Sequence, residues 1–260
     1  MNTTHSHPVT VTRVADDRWQ AAEADDQVVG YGEAWSRPDG RTFLGIESWH
    51  GDAFDQLLQA MPPALPRPLY TVVDAADPEL TAGWQRAGFT AERTEHHYLV
   101  PTDPGVTGLG SVRPPSGVTV LAAGAAEEEP LRALDHAIRA EVEASVGWRT
   151  MPAEMVARPD GRTPLDLSKY VVAVVDGEYV GLLRLAPVPR QPRIGLIAVR
   201  AGQHRRGIAR ALLAQALGAL HRAGVAAASA EVDESNRAAV ALFEGIGARR
   251  MGSSLELVLR

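Results

Sequence analysis

The segment Val199–Arg210, VRAGQHRRGIAR, sets Gly207 among Arg205, Arg206 and Arg210 where a strand gives way to a helix. An apolar run ends at Val199 and a helical pattern begins at Ile208, so the first N–H groups of that helix have no partner inside it and point outward. Backed by the positive end of the helix dipole, they form a site for an anion, phosphate above all. Gly207 lets the backbone come close to such an anion, and the small Ala209 keeps the next turn open. No Gly-Lys-Ser/Thr follows and no GxGxxG is present, so a nucleotide-hydrolysing loop is not supported.

That junction needs a strand before it and a helix after it. Arg193–Val199 supplies the strand, and Ile208, Leu212, Ala216, Leu217 and Leu220 line one face of a helix that stops near Gly224. Upstream, Val118–Ala122 reads as a strand. Glu127–Glu129 with Pro130 opens a helix running toward Val142, and Tyr170–Val175 with Tyr179–Leu185 forms a hairpin around Asp176-Gly177. Downstream come a strand at Ala226–Val232, a helix at Asn236–Ile246 and a strand at Ser254–Leu259. A hairpin followed by two strand–helix units describes an α/β domain with a mixed sheet.

The first part of the chain repeats this pattern. DDQVVGYGEAW (Asp25–Trp35) matches DGEYVGLLRLA (Asp176–Ala186) through Gly30 and Gly181, and Val72–Phe89 aligns without a gap on Glu231–Ala248. Between these anchors the first copy is eight residues shorter. The deficit falls after Phe43–Trp49, where His50-Gly51-Asp52-Ala53-Phe54 runs straight into a helix and Asp52 and Asp55 would repel a pyrophosphate. Pro101–Gly117 is too rich in proline and glycine for a regular element and reads as a linker. The expected division is therefore residues 1–100, a linker at 101–117, and residues 118–260.

Composition narrows the function. A net charge of −6 over 260 residues argues against a mainly electrostatic nucleic-acid or membrane binder. The absence of cysteine removes disulfides, thiol nucleophiles and cysteine-ligated metals. His5 and His7 lie in a polar N-terminal stretch with too few ligands for a metal, so no metal site is expected. No secretory signal or spanning segment is visible, which makes a cytoplasmic protein, monomer or homodimer, the expectation.

Two motifs then resemble one family, the GCN5-related N-acetyltransferases (GNAT). His204-Arg205-Arg206-Gly207-Ile208-Ala209 resembles the family's phosphate loop, Gln/Arg-x-x-Gly-x-Gly/Ala, with His204 departing from the pattern. Asn236 to Ala248 resembles its second signature: Asn236, Ala239, Leu242 and Gly247 match, while Phe243 replaces a tyrosine and Ala248 a phenylalanine. The resemblance spans 118–260, and the first part looks like a decayed copy without the phosphate loop. It implies two tandem GNAT-like domains, each a mixed, mainly antiparallel sheet flanked by helices, with acetyl-CoA bound only by the second.

The resemblance further implies acetyl transfer from acetyl-CoA, as co-substrate, directly to a primary amine of a small molecule. A protein lysine or α-amino acetyltransferase and a non-catalytic acetyl-CoA sensor are the alternatives. Ile197, Ala198, Val199, His204, Arg205, Arg206, Gly207, Ile208, Ala209, Arg210, Asn236 and Phe243 are then the expected cofactor contacts. Val199 is the expected backbone donor to the thioester carbonyl at a bulge near the strand end. Glu231 and Asp233 are first choices as base, Glu141 and Glu143 second, and Ser235 or water would replace the missing tyrosine hydroxyl. Trp148 and Tyr170 flank the expected acceptor side, with apolar packing the expected role for both.

Overall fold

The computed structural model describes residues 8–37, 39–49, 51–145, 147, 165–186, 188 and 191–260. They form two compact units, Met1–Thr94 with Ser254–Arg260, and Glu95–Ser253. In chain order the first unit contains strands β1 (Thr10–Ala15), β2 (Arg18–Ala22), β3 (Val28–Ser36) and β4 (Thr42–Ser48), helix α1 (Gly51–Ala60), strand β5 (Leu69–Asp74) and helix α2 (Pro78–Arg86). Strand β6 (Thr90–Pro101) passes from the first unit into the second. There follow helix α3 (Pro104–Thr107), strand β7 (Val118–Leu121), helix α4 (Glu128–Glu143), strands β8 (Tyr170–Val175), β9 (Glu178–Ala186) and β10 (Arg193–Val199), and helix α5 (Ile208–Arg222). Strand β11 (Ala227–Asp233), helix α6 (Arg237–Glu244) and strand β12 (Arg249–Leu259) complete the chain.

In the first unit β1 to β4 are joined by antiparallel ladders, and β4 meets β5 in parallel only at Thr42↔Leu69 and Phe43↔Tyr70. The sheet gains its sixth strand from far along the sequence: Ser254–Leu259 of β12 runs antiparallel to β5, from Ser254↔Asp74 to Leu259↔Leu69. Leu257 and Leu259 thereby enter a core with Trp19, Phe54, Leu57, Trp84 and Phe89. Glu256, only 3% exposed, is held by Arg41 at 2.8 Å and Arg93 at 3.5 Å. The second unit is built the same way, with β7 to β10 antiparallel and β10 and β11 parallel. Here the sixth strand is Glu95–Pro101 of β6, paired with all of β11.

The sequence division and the packing differ on this point. The stretch 101–117 lies within the second unit, carries the short helix α3 capped by Asp103, and buries Leu109. The proline-rich composition sets a break in regular structure there, while Leu109 and Val112 anchor the segment in the apolar core. The internal repeat is matched by the contacts. A Cβ at Gly30 would meet Glu47 O and Leu57 Cδ1 at 3.1 Å, and one at Gly181 would meet Val199 Cγ2 at 3.2 Å and Ile208 Cγ2 at 3.4 Å. In each copy the fourth strand and the helix after it crowd the same point of the hairpin. Asp77 and Asn236, also equivalent, cap α2 and α6 by accepting from Leu80 N and Ala239 N.

Because β12 completes the first unit's core, truncation there weakens residues far earlier in the sequence. Leu257→Ala is expected to lower the unfolding free energy of the unit by about 2–5 kcal/mol. Urea unfolding followed by tryptophan emission, with Trp19 and Trp84 as internal reporters, checks this.

Candidate functional site

Strands β10 and β11 pair only at Arg193↔Ser229 and Ile194↔Ala230, then part. The β9 ladder shifts register between Ile194 and Leu196, placing a bulge at Gly195. This corrects the expected position of the bulge, which is at Gly195 rather than at Val199. Beyond it, the Arg200 N–H donates to Val180 O at 2.8 Å. Ladder bonds alternate, so Leu196 and Ala198 turn their backbone groups to β9. The N–H groups of Ile197 and Val199 face the gap left by β11.

That gap opens into a cleft of about 860 Å³. One wall is α4, through Ile138, Glu141, Val142 and Ser145; the floor is Leu196 to Val199, and the far wall is α6 through Asn236 to Leu242. Its remaining side is the β10–α5 loop and the first turn of α5. Gly207 is the residue before α5, at φ 85°, and no side chain caps that end. Ala211 N–H already bonds Gly207 O. The N–H groups of Ile208, Ala209 and Arg210 are left pointing outward, as a helix start of fifteen residues dictates. A Cβ at Gly207 would meet only Pro115 Cγ at 3.7 Å, so glycine is needed there for its dihedral rather than for space. Arg205 also sits at positive φ, 58°, an unfavourable setting for a side-chain-bearing residue and one that recurs at functional loops.

Of the expected contacts, Ile197, Ala198, Val199, His204, Arg205, Gly207, Ile208, Ala209, Arg210 and Asn236 all line this cleft. Arg206 does not; its guanidinium donates to Gln203 Oε1. Phe243 does not either, although it borders the small hollow beside the cleft. It is 2% exposed, stacks on Tyr98 at 5.9 Å and lies in the apolar core, because its place on α6 faces the sheet. His204 donates from Nε2 to Val199 O at 2.7 Å, which ties the loop back to the strand end. The carboxylates are also engaged. Glu231 pairs with Arg193 at 2.9 Å, and Asp233 Oδ1 accepts from Ser235 N and Oγ at 2.8 and 2.6 Å. Both line a small hollow of about 60 Å³ that shares Leu196, Ile197, Asn236 and Ala239 with the cleft. Ser235 spends its hydroxyl proton on Asp233. Trp148, His50, His5 and His7 lie outside the described residues.

The sequence reading missed the role of Glu141. Its carboxylate accepts from Arg200 Nε at 2.6 Å and from Ala201 N at 2.9 Å, fastening α4 to the start of the loop. Partial burial pushes this carboxyl up, but the hydrogen bonds and charge of Arg200 and the Ala201 N–H outweigh it and hold it below its ordinary 4.5. Such a carboxylate stays ionised and serves as a clamp. The only signal in the sequence was an acidic residue at the helix end opposite a cation-rich loop.

Residues 139–248 match the model of the Acetyltransferase (GNAT) family. No curated protein matches the sequence. Among solved structures, a GCN5-related N-acetyltransferase from Sphaerobacter thermophilus superposes with a TM-score of 0.66 at 17% identity, covering 95% of this chain and 82% of that one. A tandem GNAT protein from the clavulanic acid biosynthesis pathway gives 0.62 at 17% identity, with 98% and 84% covered. A GCN5-related N-acetyltransferase from Kribbella flavida gives 0.57 at 16%, with 97% and 89% covered. Residues 139–248 thus carry the GNAT family match, and the chain shares the fold of tandem GNAT proteins. Among the described residues, no helix is long and apolar enough to cross a membrane.

The clamp predicts a titration. The Ala201 amide proton shift is expected to follow Glu141 with a midpoint below 4.5. Arg200→Met, by removing a donor and a positive charge, is expected to move that midpoint upward. Because the folded carboxyl is depressed, the clamp contributes stability above the ordinary glutamate range and loses it as pH falls through the lowered midpoint. NMR titration of both proteins checks the sign.

Proposed function

We propose, from the premise that the cleft belongs to a GNAT domain within a tandem fold, that the protein transfers an acetyl group from acetyl-CoA to the primary amine of a small molecule. One observation carries this reading. The unpartnered N–H groups at the start of α5 and those of Ile197 and Val199 open into the same cleft. The first set suits a pyrophosphate, with Arg205 and Arg210 supplying charge. The second suits an extended arm with amide groups that ends in a thioester. Acetyl-CoA, when bound, supplies an acyl group on a sulfur leaving group.

The chain's residues then have defined tasks. Ile197 or Val199, through its N–H, donates to the thioester carbonyl oxygen and stabilises the charge that builds there. The gap between β10 and β11 holds the acyl carbon within reach of an amine arriving past α4. The attacking nitrogen forms the new C–N bond as the C–S bond breaks, and the sulfur keeps the electron pair. With an ordinary thiol pKa near 8.5, the leaving group needs little help from an acid. This suits a site whose Phe243 has no hydroxyl and stands in the core. The amine's proton goes to a base. Glu231, partly exposed at the small hollow and paired with Arg193, remains the candidate, whereas Asp233 is committed to Ser235.

The first unit lacks the equivalent loop. Its helix α1 begins at Gly51, directly after β4, with Asp52 in its first turn. The proposal therefore assigns acetyl-CoA to the second unit alone.

Titration calorimetry with acetyl-CoA, followed by thiol release over a panel of amines, tests the reading. Binding with release supports it, and binding without release under every amine would favour a sensor. Gly207→Val is expected to weaken acetyl-CoA binding by tenfold or more, because the substituted residue must leave φ 85°. Phe243→Tyr is expected to leave turnover within a factor of about two, since position 243 does not reach the cleft; a tenfold gain would show a missing acid instead. Glu231→Gln is expected to flatten the acidic limb of the pH–rate profile.

A further inference from the structure

The loop before α5 carries one group whose charge can change. Among the described residues, the titratable side chains that line the cleft are Glu141, His204, Arg205 and Arg210. The two arginines stay charged at any ordinary pH. Glu141, held below its ordinary 4.5, is ionised throughout the neutral range. Imidazole is the one side-chain type among them that ordinarily titrates between about pH 5 and 8. His204 is exposed, lines the cleft and stands shortly ahead of α5, next to Arg205 with its φ of 58°.

The two ring nitrogens have separate tasks. Nε2 lies 2.7 Å from Val199 O, and a carbonyl oxygen only accepts, so Nε2 keeps its hydrogen whether or not the ring is charged. Nδ1 is therefore the atom that gains or loses a proton. Protonation leaves the bond to Val199 in place and changes only the charge of the loop. The charged groups around the ring come from α4, the loop and α5. Glu141 of α4 is an electrostatic neighbour of His204, and its carboxylate is already matched by Arg200. Arg205 and Arg206 follow in the loop, and Arg210 lies in the first turn of α5. An imidazolium here is repelled by three arginines, and an anion in the cleft reverses that balance.

We propose that His204 links acetyl-CoA binding to one proton: the diphosphate is held more tightly when Nδ1 of His204 is protonated, and binding draws that proton onto the ring. This rests on the acetyl-CoA reading and adds control by pH to it. The N–H groups at the start of α5 are fixed donors and the arginines fixed charges. His204 supplies a charge that is present below the ordinary imidazole range and lost above it. Linkage is reciprocal, so an anion that favours the imidazolium raises the pH at which the ring gives up its proton. Affinity is accordingly expected to fall as pH rises through that range. The acceptor amine becomes a nucleophile only as pH rises, so cofactor loading and amine readiness have opposite pH dependence.

Dephospho-CoA is the probe, because the 3′-phosphate of CoA is a monoester that itself titrates at about 6, whereas the diphosphate bridge does not. Calorimetry at about pH 5.5 and about pH 8, in buffers of different ionisation heat, measures affinity and proton uptake. It compares the wild-type protein with His204→Gln and His204→Arg. Wild type is expected to bind about fivefold or more tightly at the lower pH and to take up a fraction of a proton. His204→Gln keeps a donor for Val199 O without a titrating charge, and should show the weaker affinity at both pH values. His204→Arg, charged throughout, should show the tighter affinity at both. In NMR titration of the wild-type protein, the midpoint of the His204 ring signal should move upward when dephospho-CoA is bound, a readout independent of either variant. Affinity flat across pH in the wild type, a pH dependence kept in His204→Gln, or a midpoint unmoved by the probe would each overturn the proton link and leave the acetyl-CoA reading standing. No binding of acetyl-CoA or dephospho-CoA at either pH would remove both together.

Discussion

Everything at the cleft follows from the failure of two parallel strands to stay together. β10 and β11 share two bridges and then separate, so the N–H groups of Ile197 and Val199 keep no ladder partner. Such groups are expensive when buried and dry, and a sheet does not leave them open without something to hold them apart. The bulge at Gly195 turns β10, the β10–α5 loop fills one end, and Glu141 fastens that loop to α4. The unpaired backbone lines the cleft. Side chains around it mostly position that backbone: His204 on Val199 O, Asp233 on Ser235, Asn236 on the first turn of α6.

The placement of charge agrees with this division of labour. A chain of net charge −6 gathers Arg205, Arg206 and Arg210 around one helix start. Arg206 is engaged with Gln203 and Arg210 donates to Gly245 O, while Arg205 has no partner among the described residues. The acidic ends of the loop's neighbours are neutralised separately, Glu141 by Arg200 and Glu231 by Arg193. Local pairing therefore leaves the positive field of the loop uncancelled despite the acidic whole.

Much of the strand and helix order was legible because each element carries its own pattern. The hairpin, β10, α5 and α6 lie where periodicity and caps put them, and six of the eight residues that the first copy lacks fall between β4 and α1, which are two residues apart where β10 and α5 are eight apart. Partners were less legible. Alternation says which face of Ser254–Leu259 is apolar but not which strand it joins, so its place in the first unit's sheet could not be read. Phe243 shows the same limit at one residue: the motif gave its place on α6, and packing against Tyr98 of β6 decided which way it faces. Glu141 entered only as a second-choice base, and its clamp was not legible because its partner Arg200 lies 59 residues away.

The exchange of sixth strands also sets a clock. During synthesis the first five strands of the first unit are made well before Ser254–Leu259, which pairs with β5 and bonds back to Thr90 across 168 residues. Until then β5 presents an unpaired edge, with Leu69 and Val73 short of their cover, for the whole time the second unit is being made. Its protection cannot come from its own half of the sequence. Ribosomal pausing, a stop codon before position 254 or a bulky fusion at the C-terminus would each act first on the fate of residues made much earlier, and the symptom would be aggregation of the N-terminal part.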